Sequence, residues 1–95
     1  MFLTGIIFYK FERLIKRVAK LFEISSKELL SGGKHTKTVK ARSVVCYWGN
    51  RELGMSTIEL SKKMNIAQPT ASQSMVRGQK IAREEKLAFL ELRNQ

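Results

Sequence analysis

At 95 residues and 43% hydrophobic content, the chain can bury one modest core and is too apolar for a disordered tail. Its formal net charge of +10, from 18 Lys and Arg against 8 acids that are all Glu, points to a polyanionic partner, nucleic acid ahead of an anionic membrane. A single Cys46 excludes an internal disulfide and fits a reduced cytoplasmic setting, and a lone His35 leaves no His/Cys cluster for a metal, so no cofactor is expected.

The first stretch, residues 1–9, is apolar. It lacks the basic start and small-residue cleavage site of a signal peptide, and it is shorter than the roughly 20 apolar residues of a membrane span. It is expected to extend the first helix or to cover an apolar surface, including one between two copies of the chain. Phe11, Leu14, Ile15, Val18, Leu21 and Phe22 then recur at helical spacing, with Lys10, Arg13, Lys16, Arg17 and Lys20 between them. This predicts an amphipathic helix starting as early as Ile6.

Ser25 and Glu28 have the spacing of a capping box, in which side chain and backbone exchange hydrogen bonds at a helix start. A short helix through Leu29 and Leu30 should end at Ser31-Gly-Gly33, since glycine accepts the left-handed conformation. The run from Lys34 to Arg42 carries Lys34, Lys37, Lys40 and Arg42 and no acid. It reads as a basic loop suited to a phosphate backbone.

A third helix fits from about Val39 to Leu53, with Val44, Val45, Tyr47, Trp48 and Leu53 as its apolar surface. Trp48 reads as a core anchor, Cys46 as an inert core thiol and Gly54 as the stop. Ser56 and Glu59 form a second capping box. Asn65 suits a left-handed residue in a tight turn, and Pro69 suits the first turn of the helix that follows. On that last helix Ala71, Met75, Gly78 and Ala82 share one face, beside Ser74 and Ile81. Leu87, Phe89, Leu90 and Leu92 carry the periodicity further.

Two helices joined at Asn65, with small Ser61 and Ala71 at their crossing, have the form of a helix-turn-helix. Leu60, Met64, Ile66, Ala71 and Met75 would pack inside it. Pro69, Gln73, Val76, Arg77 and Lys80 lie opposite. Gln pairs with adenine, Thr bonds or touches the thymine methyl, and Arg favours guanine. Gln68, Pro69, Thr70, Gln73 and Arg77 are therefore the candidates for base readout. Lys62 and Lys63 join Lys34, Lys37, Lys40 and Arg42 as candidates for the backbone or minor groove.

From Lys10 onward the chain resembles the C-terminal DNA-binding domain of DnaA-family bacterial replication initiators, within the Trp-repressor-like group. The resemblance rests on Phe22-Glu-Ile24, Lys27-Glu-Leu-Leu-Ser31, the basic run, Arg42, Arg51-Glu-Leu53 and the two-helix motif. It implies a recognition helix in the major groove and a loop in the minor groove. By position it makes Lys34 the minor-groove residue and Lys40 and Arg42 backbone contacts. The family's Asp-His-Thr-Thr-Val signature is replaced by Gln68-Pro-Thr-Ala-Ser72, in which Thr70 alone matches. A shared scaffold with a different target is the implication. Cys46-Tyr-Trp48 and Ile66-Ala-Gln-Pro-Thr-Ala-Ser72 look closer to DnaA-type tails of tyrosine-class transposases.

The expectation is an all-α domain of about five or six helices, with an apolar segment at 1–9 and a DNA-binding domain over 10–95. Its partner is double-stranded DNA, with homodimerisation through the apolar N-terminus as an added option. It would be cytoplasmic and nucleoid-associated. No nucleophile, base and orienting group come together, and no phosphate-binding Gly-Lys-Ser/Thr loop is present, so no enzymatic activity is expected. The alternative is a membrane-surface or protein-interaction module built on the apolar start and the basic first helix.

Overall fold

A computed structural model describes the backbone of residues 2–30 and 35–85 and the side chains of residues 9–30 and 35–85. The described residues form five helices and no strand: α1 (Phe2–Leu21), α2 (Ser26–Leu30), α3 (Thr36–Leu53), α4 (Thr57–Met64) and α5 (Gln68–Glu84). The all-α expectation holds. Helix α3 is the hub, packed against each of the other four, while α1 also meets α2 and α4 also meets α5.

The apolar stripe of α1 does what its spacing predicts. Phe11, Leu14, Ile15 and Val18 are buried, with Ala19 beside them, against Ala41, Val44, Val45, Cys46 and Trp48 of α3 in one cluster. Lys10, Arg13, Lys16 and Lys20 face solvent and Arg17 is half-buried. The apolar face from Phe11 to Val18 is thus spent on the core and is not free to enter a lipid surface. No helix among the described residues is long and apolar enough to cross a membrane. Burial pushes the Cys46 thiol up to about 11, against a smaller opposing effect of Arg42, so it stays protonated and inert at neutral pH.

Helix ends follow local chemistry. At α2, Ser25 Oγ accepts from the Glu28 amide at 3.0 Å and Glu28 Oε1 accepts from the Ser25 amide at 3.2 Å. Helices α1 and α4 stop by the same device. A left-handed residue, Glu23 (φ 58°) or Asn65 (φ 57°), turns the chain. The next amide then reaches back across the last turn, Ile24 to the Ala19 carbonyl and Ile66 to the Ser61 carbonyl, both at 2.9 Å. Each isoleucine packs against the core, which fixes the turn. Asn65 was expected here. Glu23 was not, because glutamate has no intrinsic preference for this conformation. Gly54 ends α3 at φ 71°, as predicted.

Two helix starts differ from expectation. Helix α1 begins at Phe2, earlier than Ile6, so residues 2–9 extend the first helix, one of the two options expected for them. Helix α3 begins at Thr36 rather than Val39, so the stretch from Thr36 to Arg42 is helix and not loop. The physical reason is burial. Thr38 and Ala41 lie on the inner face, and the Val39 amide closes the first turn on the His35 carbonyl at 2.9 Å. Helices α3 and α5 approach closely at Gly78 of α5. A Cβ there would overlap the Ser43 carbonyl of α3 and lie 2.8 Å from Tyr47 Cβ. Ser61 and Ala71 are buried as expected. The proposed stop at Ser31–Gly33, Lys34, and the apolar series Leu87, Phe89, Leu90 and Leu92 lie outside the described residues.

Candidate nucleic-acid interface

Helix α4 is held firmly at its start and finish. Ser56 Oγ accepts from the Glu59 amide at 3.1 Å, and Glu59 Oε1 accepts from the Ser56 amide at 2.9 Å. Leu60 and Met64 are fully buried, and Ser61 Oγ donates to the Ile58 carbonyl at 2.8 Å instead of pointing into the core unpaired. The left-handed Asn65 then swings the chain into α5, with Ile66 packed inward and Met75 partly buried behind it. The inner set expected for the two-helix motif is therefore assembled.

Helix α5 starts differently. Its N-cap is Ala67, extended at φ −70° and ψ 153°, with no side-chain cap. Pro69 has no amide hydrogen to satisfy. The amides of Gln68 and Thr70 receive no capping oxygen from Ala67, and the helix dipole points its positive end outward there. Such a start favours an anionic oxygen.

The faces of α5 follow from about 100° per residue. Ala71, Ser74, Gly78, Ile81 and Ala82 are buried. Directly opposite, Pro69, Gln73, Val76 and Lys80 fall within about 60° of one another, and all four are exposed. Of the five base-readout candidates, the structure centres Pro69 and Gln73. Thr70 and Arg77 are exposed but sit about 70–90° from the centre of those four on one flank, and Gln68 about 110° on the other. Val76, 70% exposed, and Lys80 occupy the centre. Helical spacing places both on the outward face, but hydrogen-bonding capacity ranked above position leaves them out of the readout set. The signal was available: from Pro69 the steps +4, +7 and +11 reach Gln73, Val76 and Lys80.

The basic candidates divide into two groups. Lys62 and Lys63 are exposed at the end of α4, one short turn from the start of α5. Lys37 and Lys40 are exposed on the first turns of α3, and Arg42 is half-buried. Lys40 Nζ lies 3.5 Å from Glu85 Oε2, which ties the start of α3 to the far end of α5. An exposed pair of this kind adds little stability. It does locate the second group about 24 Å along α5 from Pro69, at 1.5 Å per residue. Between Glu59 and Glu84 every charged residue is Lys or Arg.

Fold and surface together define a small all-α domain whose last described helix turns outward a face with no acid from Gln68 to Arg83. Among curated proteins the chain is similar to the chromosomal replication initiator protein DnaA of Thermosipho africanus (strain TCF52B), with 32% identity over 74 residues. The match covers 77% of this chain, which spans only 17% of that relative's length. It supports a DnaA-related domain. No family model matches the chain. No solved structure matches it either.

Proposed function

We propose that this chain is a double-stranded DNA-binding domain, related to the C-terminal domain of DnaA and without catalytic activity of its own. The observation that carries the reading is the outward face of α5, free of acid from Gln68 to Arg83 and beginning at an uncapped helix start. Helix α5 enters the major groove, and α4 with its Lys62 and Lys63 braces it on the phosphates, in the manner of a helix-turn-helix. Gln73 reads a base edge, with Gln68, Thr70 and Arg77 reaching in from the flanks. Lys37, Lys40 and Arg42, on the first turns of α3, hold the backbone farther along the duplex. Replacement of the initiator signature by Gln68-Pro-Thr-Ala-Ser72 gives a target other than the initiator's.

Titrating labelled duplex recovered from a randomised pool tests this. With about five phosphates neutralised, a fourfold rise in salt should lower affinity by roughly 500-fold. Absent or salt-insensitive binding would sink the reading. Gln73→Ala should relax preference at one base pair by about 1–3 kcal/mol. Lys37→Ala should weaken all duplexes alike and reduce the salt slope by about 1. Identical behaviour of the two variants on every duplex would refute the division of roles.

A further inference from the structure

We infer that Val76 is a specificity-determining residue that packs on the C5 methyl of a thymine in the bound duplex. The inference rests on the DNA-binding reading and deepens it. Val76 is the most exposed of the large hydrophobic residues described, at 70%. A single exposed valine on a helix is ordinary. Its position is what calls for a cause. It sits at the centre of the outward face, between Pro69 and Lys80, next to Gln73, and opposite the buried Gly78. Valine is also a poorer helix former than the lysine, glutamine or alanine that solvent exposure alone would favour there.

Charge selects the occupant. Between Glu59 and Glu84 the chain has no acid; Arg77 adjoins Val76 in α5, Lys80 lies one turn on and Arg83 about two, and α4 ends in Lys62 and Lys63. A partner that covers this face must be anionic and must offer an apolar group to a helix. The major groove of DNA admits a helix, and the one apolar group on its floor is the thymine methyl. RNA lacks that methyl, and the deep, narrow groove of its duplex excludes a helix. A lipid surface would need a broad apolar stripe, whereas Ser72, Gln73 and Gln79 surround Val76 with polar side chains.

The test replaces each thymine of a recovered duplex by deoxyuridine, which removes the methyl and nothing else. At one position wild type should lose about fourfold in affinity, the equivalent of ~0.8 kcal/mol for one buried methyl-sized group. Val76→Ala should bind the thymine duplex with a similar deficit and show no further loss with deoxyuridine. The variant puts the best helix former at an exposed site, so misfolding does not account for a loss. If no thymine shows the penalty, or if Val76→Ala keeps it in full, the assignment of Val76 is overturned while salt-dependent duplex binding still stands. If wild type binds no duplex at low salt, the DNA reading itself falls, and this inference falls with it.

Discussion

The two faces of α5 answer to different constraints. Inward lie Ala71, Ser74, Gly78, Ile81 and Ala82, mostly small because α3 approaches so closely that Gly78 has no room for a methyl group. Outward lie Pro69, Gln73, Val76 and Lys80, all exposed among the described residues. Inner positions should respond to substitution through stability, outer ones through binding. A helix whose two faces are separable in this way can change what it reads without changing how it packs.

The largest effect is expected at Gly78→Ala. Alanine is the better helix former by about 1 kcal/mol, so an open site would be stabilised. Here the new Cβ meets the backbone carbonyl of Ser43, which cannot rotate aside as a side chain can. Overpacking at the high end of its usual range should win, for a net loss of about 2 kcal/mol. In a domain of this size that lowers Tm by roughly 8–16 °C, readable by circular dichroism. A raised Tm would mean that α3 and α5 are not this close and that the inner face is not size-limited.

How far the sequence reveals these faces depends on how local the cause is. Ser25 with Glu28, Ser56 with Glu59, Asn65 and Gly54 are legible because each acts within a few residues of itself. The early start of α3 is not, because Thr38 is drawn inside by contacts that no polar run announces. Nor is the Ser43–Gly78 crossing, which joins residues far apart in the chain. The site is intermediate. Helical spacing alone centres Pro69, Gln73, Val76 and Lys80, while attention to hydrogen-bonding side chains favours Thr70 and Arg77 on the flank. The match to DnaA lends weight to the scaffold but does not rank these positions.

The start of α5 offers a second, smaller test, in which stability and binding should move in opposite directions. Ala67 already has the extended conformation of an N-cap but no oxygen to offer, unlike Ser56 of α4. Ala67→Asp should therefore stabilise the fold by about 1 kcal/mol. The same carboxylate occupies the amides that a phosphate would use and repels it, so duplex affinity should fall. A Tm rise together with tighter DNA binding would show that this helix start does not face the backbone.

The smallest effect should be on stability from changes at the centre of the outer face. Gln73→Ala and Val76→Ala should each shift unfolding free energy by no more than about 0.5 kcal/mol, since surface changes away from caps and packing rarely do more. Urea denaturation at several protein concentrations measures this. The result is informative because Val76 has a second way to matter. If Val76→Ala loses more than about 1 kcal/mol, and loses more as the protein is concentrated, its side chain is being buried by another copy of the chain. The outer face would then be an interface between copies before it is one with DNA, and the two faces of α5 would not be separable. A concentration-independent, near-zero change leaves Val76 free in the unbound protein, the state from which it would meet a groove.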